Sequence, residues 1–212
     1  MRTTGFQRIL SYLFPIKIWK GRGDIHPQLE LFLYRGQWQL ATEDAIYSDG
    51  VRYSPMVKAF SQLRTQIPSW KKVLVLGGGA GSAARILRNM GAACEVWLVE
   101  NDGQIIQLME PELPDEGVRY VCGDAEAFIT TCNIKYDVVV IDIFVGRKVP
   151  EFVSQNSFLV SCRSVCHPNG VMIINFMIND AADSERYDAM VAHFVDYSVI
   201  DIGINKVIIV KV

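Results

Sequence analysis

Lys72 to Leu87 reads KVLVLGGGAGSAARIL. Its first five residues form a short, nearly unbroken apolar run, the pattern of a strand buried on both faces of a parallel sheet. Gly77, Gly78, Gly79 and Gly81 follow. The residues after them show helical spacing. A glycine-rich turn between a buried strand and a helix is a context in which the motif carries meaning. Glycine lets the backbone turn tightly and lets a ligand approach without an intervening Cβ. The stretch therefore predicts the first strand–helix unit of a doubly wound α/β domain that binds a nucleotide.

Downstream, strands and helices alternate at the rhythm of a parallel sheet with covering helices. Strands are expected at Lys72 to Leu76, Glu95 to Val99, Val118 to Cys122, Tyr136 to Asp142 and Val171 to Phe176. Helices are expected at Gly81 to Met90, Gly103 to Met109, Ala125 to Thr131, Gln155 to Cys166 and Ser184 to Phe194. Ser198 to Ile204 and Lys206 to Val212 read as two more strands separated by Asn205. So short a connection requires antiparallel pairing, since a parallel return needs a crossover. The expected architecture is a mostly parallel seven-stranded sheet ending in an antiparallel hairpin, the arrangement of class I methyltransferase-like folds.

Upstream, Ile16 to about Asp49 reads as a small β-hairpin region, clearest in LELFLYRGQWQLA, which turns near Arg35 and Gly36. Val57 to Ile67 has helical spacing and stops before Pro68. The organisation implied is an N-terminal helix and hairpin region over 1–55 and a nucleotide-binding domain over 56–212. Phe6 to Phe14 is read as a helix packed on its own domain, with an amphipathic surface helix as the alternative.

Half of the 212 residues are apolar and 21% are charged, with a formal net charge of -2. That balance gives no basic surface for nucleic acid and favours a small-molecule partner. The five cysteines contain no CxxC pair and mostly lie in apolar runs, which points to a reduced, cytoplasmic setting. Cys162, Cys166 and His167 offer too few convergent ligands for zinc, so no metal is expected. Pro15 interrupts the N-terminal apolar stretch, which argues against a signal peptide, and no run is long enough for a membrane span.

Four strand ends carry the candidate chemistry. The glycines of strand one form the cofactor loop. Glu100, in WLVEND with Asn101, ends strand two about 20 residues beyond the loop, where a carboxylate can accept from ribose hydroxyls. Gly123, Asp124 and Ala125 end strand three; Asp124 is either a helix cap or an acceptor for an adenine amino group. Asp142 ends strand four, where a carboxylate can hold an amine or take its proton, or can simply satisfy loop amides.

VLVLGGGAG, VEND, CGDAEAF and YDVVVIDIF, in that order, resemble the polyamine aminopropyltransferases, the spermidine synthases and their relatives. The resemblance covers roughly Tyr53 to Phe176, and AIYSDGVRY before the domain fits it too. Methyltransferases of this fold commonly carry an acid within strand one, where this chain has Val75. The resemblance implies decarboxylated S-adenosylmethionine as co-substrate, Glu100 on its ribose, Asp124 at its adenine, and Asp142 with Tyr53 at an amine acceptor. A homodimer is also implied.

Three positions depart from the family pattern. An aspartate of the glycine loop, which helps hold the aminopropyl ammonium, is replaced by Ala80; a second strand-four aspartate by Val145; and the run of tyrosine, histidine and glutamate reads Tyr53, Ser54, Pro55. Losing one charge-assisted contact corresponds to about 1.5–3 kcal/mol. Two further readings therefore stand beside aminopropyl transfer: a small-molecule methyltransferase using S-adenosylmethionine, and a non-catalytic homologue that keeps the fold. A nicotinamide-dependent dehydrogenase fits the glycine loop and Glu100, but not the antiparallel end or the strand-four motif.

Overall fold

A computed structural model describes residues 3–43 and 46–212. Positions 1, 2, 44 and 45, within the expected N-terminal region, lie outside the described residues. The chain forms two sheets. The first is a four-stranded antiparallel sheet in sequential order: β1 (Ile16–Gly21), β2 (Leu29–Tyr34), β3 (Gln37–Ala41) and β4 (Ile46–Ser48). The expected hairpin is β2–β3, whose turn residues Arg35 and Gly36 have φ of 50° and 71°. Two positive φ values suit the primed two-residue turn that matches strand twist.

The second sheet has seven strands. They are β5 (Lys72–Leu76), β6 (Glu95–Glu100), β7 (Val118–Cys122), β8 (Tyr136–Ile141), β9 (Cys166–Met177), β10 (Tyr197–Ile202) and β11 (Asn205–Lys211). Their order is β10-β11-β9-β8-β5-β6-β7. β5 to β9 pair in parallel, and β11 pairs antiparallel with both β9 and β10. The chain leaves β5 toward β6 and later returns to β8 on its other side, so a crevice opens at the carboxyl end of β5.

The helices are α1 (Gly5–Leu10), α2 (Ser54–Gln62), α3 (Ser82–Asn89), α4 (Gly103–Met109), α5 (Ala125–Thr131), α6 (Asn156–Ser164) and α7 (Ala181–Val191). Alternate residues of each central strand face opposite cores. Val73, Val75, Val138 and Val140 pack with Phe60 of α2 and Ile86 and Leu87 of α3. Leu74, Leu76, Val139 and Ile141 pack with Ile129, Leu159 and Met190 of α5, α6 and α7. That double burial is why β5 reads as an unbroken apolar run. A third cluster joins Leu29, Leu31 and Leu40 of the small sheet to Ile105 and Met109 of α4.

Several expected boundaries move, each for a local reason. α2 begins at Ser54, since Pro55 fits the first turn of a helix, where its missing N–H costs nothing. α7 begins after Asp180, whose side chain accepts from Asp183 N. The final hairpin turns at Gly203, with φ of 64°, and Ile204; Asn205 belongs to β11. β9 starts at Cys166 opposite Tyr136, earlier than its apolar run, with a register irregularity before Val171. α1 buries none of its residues, and Phe6, Ile9 and Leu13 are exposed. The segment is nonetheless held to its own domain at its end, where Ser11 is fully buried, its carbonyl accepting from Arg35 N at 2.8 Å and its hydroxyl from Gly36 N at 3.0 Å. The contact is thus made at the β2–β3 turn and not by the apolar side chains of α1. Among the described residues, no helix is long and apolar enough to cross a membrane.

Candidate active site

The crevice at the end of β5 holds a cavity of about 230 Å³. Its wall includes Gly77, Gly78, Gly79, Glu100, Asn101, Gly123, Asp124, Ala125, Asp142 and Tyr53. Gly81 caps the start of α3 with φ of 73° and is not on the wall.

Gly77 has φ of 90°, and a Cβ there would lie 2.2 Å from the carbonyl oxygen of Asp142. No larger residue fits without moving β8 away. The N–H groups of Gly77 and Gly78 both donate to Val99 O at 3.0 Å, and Tyr120 Oη donates to Gly79 O at 2.7 Å. The loop is held from both sides before any ligand arrives.

Glu100 is buried, with 8% of its surface exposed. Its Oε2 accepts from Gly79 N at 2.9 Å and its Oε1 from Asp102 N at 3.0 Å. Burial raises its pKa, while the N–H groups of Asp102, Gly79 and Asn101 pull the other way and only partly offset it. Each carboxylate oxygen offers two lone pairs. With three N–H groups acting on it, the carboxylate keeps lone-pair capacity for a ligand hydroxyl.

Asp124 Oδ1 accepts from Ala127 N at 2.9 Å as the cap of α5, and the same residue lines the cavity. Ile143, Pro150 and Phe152 add an apolar wall.

At the other end, Asp142 Oδ1 accepts from Tyr53 Oη at 3.0 Å and from Asn175 Nδ2 at 2.9 Å. Asn205 Nδ2 donates to Asn175 Oδ1 at 2.9 Å, which orients that amide. Burial pushes the Asp142 carboxyl up to about 6, against the lowering effect of its hydrogen bonds from Asn175 and Tyr53. Burial and the neighbouring Asp142 charge raise the Tyr53 hydroxyl well above its usual range, so it stays a donor.

Several contributors were not singled out in the sequence. Asn175 carried a signal, a polar residue inside the apolar run of β9, and it is 1% exposed. Asp102 is fully buried and caps α4 by accepting from Gln104 N and Ile105 N. It also accepts from the N–H groups of Asp24, Ile25 and His26. Burial raises its pKa, but these donors outweigh that and leave it below the usual value. In return Asp24 Oδ2 accepts from Gly103 N at 2.9 Å. A Cβ at Gly23 would lie 2.1 Å from Asp102 Oδ2, so the clasp requires glycine there. It brings His26 to the cavity, with its ring 4.8 Å from that of Tyr47. Ser48 of β4 and Ser82 of α3, hydrogen-bonded to each other, complete this wall.

The three departures take different places. Ala80 is 2% exposed and packs in the cluster with Leu29 and Leu31, away from the cavity. Gly79 and Gly81 on either side have φ of 48° and 73°, which turns position 80 toward the small sheet. The expectation that this position faces the cofactor is corrected accordingly. Val145 lies on the cavity rim, half exposed, in a paired turn with Lys148. Pro55 is buried in the first turn of α2.

Together, the seven-stranded sheet and the crevice site define a methyltransferase-like α/β protein. The spermine/spermidine synthase domain model matches residues 51–181, and the chain belongs to that family. A polyamine aminopropyltransferase of Vibrio vulnificus is 26% identical over 151 residues, which cover 67% of this chain and 50% of that protein. The chain thus spans about half the length, or less, of the first curated relatives it matches. A probable spermidine synthase of Corynebacterium glutamicum superimposes with a TM-score of 0.76 at 17% identity, covering 91% of this chain and 79% of that one. Human methyltransferase-like protein 13, in complex with SAH, superimposes at 0.63 and 18% identity, covering 76% of this chain and 81% of that one. At these identities the structural likeness concerns the fold.

Proposed function

We propose that this chain is a transferase that binds decarboxylated S-adenosylmethionine and moves its aminopropyl group to an amine. The observation that carries this reading is one cavity with the Gly77–Gly79 loop, Glu100 and Asp124 at one end and the Asp142–Tyr53–Asn175 network at the other. The residues fit an adenosine group. Gly79 and Gly123 leave open space on the wall where a ligand can approach the backbone, Glu100 keeps lone-pair capacity for a ribose hydroxyl, Asp124 can accept from an adenine amino group, and Ile143 and Phe152 offer an apolar wall to the base.

The co-substrate supplies a sulfonium leaving group: the amine lone pair forms a bond to the adjacent methylene carbon, the C–S bond breaks with its electrons going to sulfur, and methylthioadenosine leaves. The protein aligns the partners and manages the proton. Tyr53 and Asn175 both occupy Oδ1 of Asp142, which leaves Oδ2 to hold the amine and take its proton. Asp142 is raised toward the range where it can be ionised at neutral pH and still accept a proton.

Methyl transfer from S-adenosylmethionine is the second reading. Ala80 faces the small sheet and does not bear on the choice between the two. Calorimetric titration with methylthioadenosine and S-adenosylhomocysteine separates the two. Tighter methylthioadenosine binding supports aminopropyl transfer, tighter S-adenosylhomocysteine binding supports methyl transfer, and binding of neither leaves a non-catalytic homologue. A reduced cytoplasmic setting and a homodimer belong to the same proposal.

A further inference from the structure

Beside the cofactor-sized cavity lies a second one of about 260 Å³. Tyr47, Tyr53 and Phe144 line both, so the two cavities share a wall at the Asp142 end. Ile46, Pro55 and Met177 make the second cavity largely apolar.

Among the described residues its charged groups are Asp49 and Arg52, and they are closed on each other. Arg52 Nη2 donates to Asp49 Oδ1 at 2.6 Å and Nε to Oδ2 at 3.3 Å. Asp49 Oδ1 also accepts from Gln39 Nε2 at 3.1 Å. The guanidinium donates to Tyr34 O as well and lies over the Tyr34 ring, 5.0 Å from its centroid. An incoming ammonium that took Asp49 would strip the guanidinium of its counter-ion. The cavity therefore offers an apolar chain a place to bury and, among the described residues, offers a second cation no uncommitted carboxylate.

We propose that this cavity takes the apolar tail of a primary monoamine, so that the acceptor carries one amino group and not two. The inference rests on the transferase reading. It deepens that reading by naming the acceptor class. The amino group lies at Asp142, and the tail extends past Tyr53 toward Met177. Each methylene buried there favours binding about fourfold. A distal ammonium in the same place loses water and, among the described residues, meets only neutral oxygens such as those of Ser54 and Asn205, with no carboxylate that is not already paired.

The test is a matched pair, hexylamine and 1,6-diaminohexane, with decarboxylated S-adenosylmethionine and the purified chain, following methylthioadenosine release by chromatography. A kcat/KM at least tenfold higher for hexylamine is expected; an equal or higher value for the diamine overturns the inference. If neither amine releases methylthioadenosine, each is titrated into protein saturated with methylthioadenosine. Hexylamine binding tenfold tighter then supports the inference, whereas equal binding, a tighter diamine, or no amine binding overturns it. Failure of the protein to bind methylthioadenosine at all takes down the transferase reading as well, which distinguishes the two failures. Met177→Glu places a carboxylate in the cavity and is expected to reduce the hexylamine preference at least tenfold. An unchanged preference in a variant with wild-type circular dichroism would also overturn it.

Discussion

The two ends of the cavity are built differently. The end proposed for adenosine is made of backbone: the Gly77 and Gly78 amides are tied to Val99 and the Gly79 amide to Glu100, and Glu100 and Asp124 each accept from main-chain N–H groups close to them in sequence or across one strand pair. The transfer end is made of side chains from four distant segments, with Tyr53, Asp142, Asn175 and Asn205 in a single hydrogen-bonded chain. A backbone cradle tolerates drift in the sequence around it as long as its glycines and strand ends remain. A side-chain network can be retuned one residue at a time. This is how a chain can keep the adenosine end of its family and depart from it at the acceptor end.

The largest effect expected is at the transfer end. Asp142→Asn should lower the rate of methylthioadenosine release about 10²- to 10⁴-fold, the range of a lost general base, while methylthioadenosine affinity changes little. A comparable loss of affinity and rate would place Asp142 at the adenosine end and break the comparison. The same variant has a stability signature. The folded pKa of Asp142 stands above its ordinary value, so its contribution to stability is present below the ordinary carboxylate range and is lost as pH rises through about 6. Asp142→Asn should thus raise Tm at pH 7.5 relative to wild type and leave it nearly unchanged at pH 4.

At the adenosine end, Gly77→Val should abolish measurable methylthioadenosine binding and destabilise the fold, since its Cβ meets the Asp142 carbonyl. Calorimetry and thermal unfolding check both. Glu100→Gln should weaken methylthioadenosine binding about 10- to 100-fold, the value of hydrogen bonds to a charged acceptor, with no effect on the pH at which activity appears.

The smallest effect sharpens the division of labour at the transfer end. Activity should rise with pH as Asp142 ionises, with its acid limb near 6. Tyr53→Phe removes one of the two donors that hold this carboxyl down. The acid limb should move upward, with a fall in kcat of tenfold or less above it. A fall in kcat with an unmoved limb would make Tyr53 a packing residue only.

Much of the frame was legible because its signals are local. The apolar run of β5, the glycines, and the acids at the ends of β6, β7 and β8 all depend on residues within a few positions of one another. Asp124 showed that two readings of one residue need not compete, since the cap of α5 also lies on the cavity wall. Boundaries shifted where a cap or turn residue outweighed apolar spacing, as at Asp180, Pro55 and Gly203. The role of Asp102 was hidden, because a helix cap looks alike whether or not another segment also donates to it. Its three donors from residues 24–26 exist only once the small sheet is docked.

The sequence by itself determined the alternation of strands and helices, the place of the crevice and the acids at its rim, because strand period, glycine conformation and helix capping act over one turn or one strand. Only the tertiary structure decided that position 80 faces the small sheet, that Asn175 joins Tyr53 on Asp142, and that Asp49 is closed on Arg52 beside a second cavity. Those facts depend on how the small sheet, α2 and β9 pack together, and packing between distant segments leaves no periodic trace in any one of them.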